Sequence, residues 1–175
     1  MEMTPEQVQI VQQLALMNLE NEAKTTQRVI AAIPADNPNY KPDPISMSSL
    51  ELAKHLAHTE LKILEGAITG KFDFSGGPAD SAKTPADVAA WYGQELDKLL
   101  PQLKALPSDQ AARIVDFMGF LQMPAVLYIN MAISHTIHHR GQLSAHLRAA
   151  GGKVPAIYGP SYEDEQVRKA ASASL

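Results

Sequence analysis

Four stretches of this chain each carry one apolar stripe at helical spacing, and three of them open on a Ser or Thr placed to cap a helix. At the first, the Thr4 hydroxyl can cap, Pro5 suits the first helical position and Gln7 completes a capping box. Val8, Val11, Ala15, Leu19, Ala23, Thr26, Ile30 and Ile33 then share a face, and Pro34 stops the run. Ser48 and Glu51 repeat the box before a second helix, predicted from Ser48 to Thr69, with Leu52, Leu56, Ile63 and Ala67 inward and Gly70 at its end. Thr84 and Pro85 open a third, carrying Val88, Tyr92, Leu96, Leu99 and Leu103 inward, which Pro101 is expected to kink or end early. A fourth is expected from Pro124 to Ala150, with Ile129, Ala132, Leu143 and Leu147 inward and Gly151 as C-cap.

The connections read as loops. Ala35 to Ser46 holds three prolines, and Lys71 to Lys83 holds Gly76, Gly77 and Pro78. Leu106 to Met123 is open between a short helix and a single strand-like run over Ile114 to Leu121. Lys153 to Pro160 is irregular, and Glu163 to Ala171 suits a last, exposed helix. Sustained period-two alternation is missing, so strands are not expected to build the fold. None of the four helices can bury its stripe alone, which predicts an all-α four-helix bundle, a single domain over residues 1–175. The pattern leaves the bundle topology open.

Composition narrows the function. A net charge of −4 lacks the basic excess of a general nucleic-acid binder, so no nucleic-acid partner is expected. No apolar run reaches the length that spans a bilayer, and the opening MEMTPEQVQI is acidic and polar where a signal peptide is basic and then apolar. A cytoplasmic protein with no membrane partner is expected. The chain has no cysteine, which removes disulfides and thiolate ligands and leaves nitrogen and oxygen donors for any metal.

Six histidines supply those donors, and helical phase sorts them. His135 and His139 are four residues apart, so their rings leave one helix face one turn apart and can grip one ion. His138 falls on the polar side, and His146 lies about 10 Å further along the axis. On the second helix His55 borders the apolar stripe, while His58 is expected to point further toward solvent. His55, His135 and His139 are therefore the candidate metal ligands. Three imidazoles suit zinc, nickel or ferrous iron and leave a coordination position open, as catalytic rather than structural zinc sites do. The bland alternative is a surface histidine pair. HTIHH has no Glu at its second position, which argues against a metalloprotease of the zincin type.

Several other residues have two readings each. Arg140 is either a solvated arginine or a partner for an acid or an interface; Gly141 in mid-helix would permit close helix approach. Asp116 and Glu60 are either outer partners that orient a histidine or surface carboxylates. Trp91, Tyr92 and Phe120 either line a pocket or pack in the core, and Tyr158 and Ser161 are candidates to close over a site. No phosphate-binding glycine loop is present, and Ser144 lacks the context of a nucleophile elbow.

The stretch HTIHHRGQLSAHLRAAGGKVPAIYGPSYED, from His135 to Asp164, resembles the C-terminal signature of the DinB-like (DinB/YfiT) family, regarded as metalloenzymes. LAKHLAHTE, from Leu52 to Glu60, looks like that family's second-helix motif with His55 at the ligand position. The resemblance implies a four-helix bundle of up-down-down-up topology, often a homodimer, with a divalent ion, zinc or nickel first and iron next, on His55, His135 and His139. It also implies a small-molecule substrate. Known activities in the family include low-molecular-weight-thiol S-transfer, so the expected function is a metal-dependent thiol transferase or hydrolase. The alternatives are a non-catalytic metal-binding dimeric stress-response protein and a bundle whose site is dead.

Overall fold

The computed structural model describes residues 3–78 and 82–172. Four long helices dominate: α1 (Pro5–Ala31), α2 (Ser49–Thr69), α3 (Pro85–Lys104) and, after the short α4 (Ser108–Ala112) and the strands β1 (Ile114–Phe117) and β2 (Leu121–Pro124), α5 (Leu127–Ala149). A last helix, α6 (Tyr162–Ser172), buries no residue. Among the described residues no helix is long and apolar enough to cross a membrane.

The first three long helices start where local chemistry places them. Thr4, Ser48 and Thr84 each accept a hydrogen bond from the backbone three residues on, and Gln7, Glu51 and Asp87 return the bond. Gly70 ends α2 in the left-handed conformation, with φ of 80°. Pro101 neither ends nor shortens α3, which runs on through it to Lys104.

The ambiguous segment resolves into both a helix and strands. After α4 the chain forms an antiparallel hairpin in which Val115 faces Met123 and Phe117 faces Leu121. Its turn places Met118 and Gly119 at positive φ, and the Asp116 carboxylate accepts the Gly119 N–H. A single strand-like run over Ile114 to Leu121 is therefore corrected to two strands. Pro124 belongs to β2, and the Ala125 and Val126 N–H groups bond back to Arg113 and Ala111, so α5 begins at Leu127 rather than Pro124. The hairpin closes one end of the bundle through Phe117, which meets Phe72 edge to face and stacks on Tyr128. Arg113 donates to the Ala67 and Ile68 carbonyls at the end of α2.

Cross-helix contacts give the directions. Gln12 near the start of α1 reaches Leu103 and Leu106 at the end of α3, while Gln27 reaches Ala89 near its start, so α1 and α3 are antiparallel. Arg28 and Pro34 at the end of α1 meet Ala156 and Gly152 just beyond α5, so these two are parallel. Tyr40, before α2, packs on His146, and Phe72, after α2, packs on Tyr128, so α2 opposes α5. By direction the order is up, down, down, up. Val8, Leu19 and Ile30 of α1, Leu56 and Leu64 of α2, Val88 and Leu103 of α3, and Ile129, Leu143 and Leu147 of α5 make the sealed core.

Candidate metal centre

His55 reaches across from α2 to His135 and His139 on its antiparallel neighbour α5. The ring centroids lie 5.3 Å apart for His55 and His135, 4.8 Å for His55 and His139, and 4.4 Å for His135 and His139. One nitrogen from each ring lies within 4.8 Å of the other two, and all three residues are half-buried. Among the described residues no other His, Cys, Asp or Glu joins this group.

The electrostatics favour neutral rings. Burial, then repulsion from His139, His55 and His138, pushes the His135 pKa down to about 4. Burial, with His139 and His58 adding to it, lowers that of His55. The His139 Nδ1 lies 2.8 Å from the Gln142 Oε1. An amide oxygen only accepts, so in this pairing Nδ1 carries the proton and Nε2 keeps its lone pair.

These residues fit a divalent ion. The Nδ1 of His135 is buried with no hydrogen-bond partner, a lone pair that a metal would satisfy. Two nitrogens each about 2 Å from a common ion lie at most about 4 Å apart, so small ring rotations would gather the triad on one centre. His55 also lines a surface cavity of ≈ 430 Å³ with Lys41, Ile45, Ser46, Met47, Glu51 and Lys54, which opens the His55 edge of the triad to the outside.

Behind the triad lies a buried polar layer. Arg140, 1% exposed, donates to the Glu22 carboxylate at 2.6 Å, to the Tyr158 hydroxyl at 2.6 Å and to the Thr26 hydroxyl at 3.2 Å. It is neither solvated nor at an interface, and Tyr158 closes over this charge pair rather than over the histidines. Glu60 is fully buried and accepts a 2.5 Å hydrogen bond from Tyr92. Burial raises its pKa to about 7 against the opposing pull of Tyr92 and Thr136. Glu60 is thus corrected from a surface carboxylate or a histidine's partner to a core acid, and Tyr92 is core.

The remaining candidates fall elsewhere. Asp116 serves the hairpin, bonding Gly119 and Gln122. Ser161 caps α6 through Asp164. Gly141 is exposed, and a side chain there would meet nothing, so it permits no close approach. Phe120 is 85% exposed, and Trp91 lines a cavity between α2 and α3. His138 is exposed as expected, and His146 packs on Tyr40. His58 is half-buried, as His55 is; its Nε2 is buried, and the residue lines the same cavity as Trp91. The role of Gln142 was not foreseen, although its place three residues after His139 is the spacing at which helix neighbours meet.

A family model described as the DinB family matches residues 7–171. YrdA of Bacillus subtilis strain 168, an uncharacterised protein, is 30% identical over 154 residues, which span 85% of this chain and 89% of that protein. A DinB-like protein from Bacillus cereus superimposes with a TM-score of 0.69 at 23% identity, over 82% of this chain and 95% of that one. The DinB-like YjoA of Bacillus subtilis gives 0.68 at 22%, over 84% and 98%. At those identities the two structures speak for the fold alone.

Proposed function

This chain belongs to the DinB family, and from that premise we propose that it is a metal-dependent enzyme acting on a small molecule, by thiol transfer or hydrolysis. The observation that carries the proposal is the convergence of His55, His135 and His139 with no fourth donor of the His, Cys, Asp or Glu type among the described residues. Structural zinc sites are closed by four protein ligands, and three leave a position for substrate. Three imidazoles accept zinc, nickel or iron. When bound, such an ion supplies Lewis acidity that lowers the pKa of a water or thiol placed on it. The chain's own residues do the rest. Gln142 fixes the His139 tautomer. Burial keeps His135 and His55 neutral. Lys41 and Lys54, in the cavity beside His55, suit the carboxylates of an anionic low-molecular-weight thiol.

Pairing of two copies is part of the same proposal. Ile10, Leu14 and Met17 point outward from α1, each more than half exposed, and no charged residue lies between Glu6 and Glu20. Apolar, Met-bearing, charge-poor surface is the composition of an interface core.

The test is metal quantification on untagged protein beside a His139→Ala variant, followed by thiol-transfer and ester-hydrolysis assays on the loaded protein. About one ion per chain, largely lost in the variant, together with turnover, is the expected result. Metal without turnover of either probe would favour the non-catalytic metal-binding alternative. No metal after reconstitution would sink the proposal.

A further inference from the structure

The loop between α1 and α2 supplies Lys41, Ile45, Ser46 and Met47 to the wall of the cavity that His55 lines. It is fastened on two sides. At the start of α2 the Tyr40 and Pro38 carbonyls accept the Ser49 and Leu50 N–H groups, each at 2.9 Å. A helix start leaves such donors without partners of its own. On α5 the His146 ring meets the Tyr40 ring edge to face, with centroids 5.8 Å apart and planes at 74°. Tyr40 joins both fastenings, and Lys41 of the cavity wall follows it directly.

His146 is badly placed to hold a charge. It is 9% exposed, and its Nδ1 is sealed with no hydrogen-bond partner. A neutral imidazole has one nitrogen that only accepts, whereas the charged ring makes both nitrogens donors and would leave a buried N–H unpaired. Burial lowers the His146 pKa, and Asp43 pulls the other way without reversing it. Charged groups on the surrounding elements are engaged elsewhere. In the loop, the Asp43 carboxylate accepts the Ile45 N–H and both the N–H and the hydroxyl of Ser46. On α2, Glu51 accepts the Ser48 N–H and pairs with Lys41 at 3.5 Å. Arg148 of α5 pairs with Glu163, and Arg28 of α1 donates to Thr25 and Ala156.

We propose that His146, acting through Tyr40, is a positioning residue that holds this loop as a wall of the metal-side cavity, and does so only while its ring is uncharged. The inference rests on the functional reading in one respect, that this cavity is the approach to the metal centre. The docked loop holds the His146 pKa below its ordinary 6.5, and undocking releases it. Docking is therefore complete above pH 6.5 and weakens as pH falls below it.

Solvent exchange at the Ser49 and Leu50 amides reports docking directly, because both bond to loop carbonyls. It is measured by NMR on the metal-free full chain and scaled to the intrinsic rate at each pH, with the amide of buried Leu64 as a control for the fold. Between about pH 7.5 and about pH 5.5, protection at Ser49 and Leu50 should fall severalfold while that at Leu64 holds. His146→Phe keeps a ring against Tyr40 and cannot charge, so its protection should not change with pH. Tyr40→Ala should lose protection at both pH values, and Tyr40→Phe should behave as the parent. Equal protection at both pH values in the parent, a fall shared by Leu64, or a fall that persists in His146→Phe would overturn the proposal. If His146→Phe loses the Leu64 protection, the Tyr40 variants decide, and equal protection in Tyr40→Ala and the parent at the higher pH overturns it. No reading here needs bound metal or turnover, so failure of the latch and failure of the metal-enzyme proposal are told apart.

Discussion

At Gln142 one side chain decides which nitrogen His139 offers. Gln142→Ala should leave about one ion per chain at saturation yet weaken metal affinity by about 10- to 100-fold, as loss of such an outer partner does elsewhere. Competition against a chromogenic chelator measures this, and unchanged affinity would remove Gln142 from the site. Glu60 carries a different signature. Its native pKa of about 7 stands above the 4.5 of an unperturbed glutamate, so between these values the native chain holds a proton that the unfolded chain has released. Its contribution to stability is complete below pH 4.5 and is lost as pH rises through 7. His135 has the opposite sign, because its depressed value makes stability fall as pH drops from 6.5 toward 4. Comparing Glu60→Gln with the parent in metal-free protein cancels that second effect. Denaturant unfolding at about pH 5 and about pH 8 should show the variant gaining on the parent at the higher pH. An equal gap at both would contradict a raised Glu60. The His135/His139 pair was legible in the sequence because i, i+4 spacing is a property of one helix, and His55 was singled out by its phase beside the α2 stripe. Arg140 and Glu60 were not, because their partners Glu22 and Tyr92 arrive from α1 and α3.

Among elements, α1, α2 and α3 could be placed from sequence because a capping box is a local bond between residues three apart. The hairpin could not. Its strands are four residues each, too short for alternation to register, and they find their partners in one another. The start of α5 shifted for the same reason, with no side-chain cap to announce it. Between elements, the Arg140–Glu22 pair ties α5 to α1 and, through Tyr158, to the segment beyond α5. Arg140→Met alone leaves Glu22 buried without its partner and should cost about 3–5 kcal/mol. Arg140→Met combined with Glu22→Leu should cost distinctly less, because no lone charge remains. Equilibrium urea unfolding of Arg140→Met, Glu22→Leu and the double variant checks the ordering, and additive losses would mean that the pair is not coupled.

On the scale of the molecule, a metal on the triad would join α2 to α5, and a site built across two helices exists only in the native state. At a free concentration of about 100 times Kd it would add about 2.7 kcal/mol, and in a chain of this length each kcal/mol moves Tm by about 2–4 °C. Chelation should therefore lower the melting temperature by several degrees, with His139→Ala already at the lower value and insensitive to chelator. The arrangement of the helices has one more consequence, for the chain as it is being made. α1 packs chiefly on α3 and α5, not on α2, which follows it. A ribosome must therefore pass Lys104 before the apolar stripe of α1 meets its first major partner, and must finish α5 before it meets the second. Until then the stripe is bare, so the newborn chain presents a long interval in which a holding chaperone, rather than its own sequel, is the natural cover for its first helix.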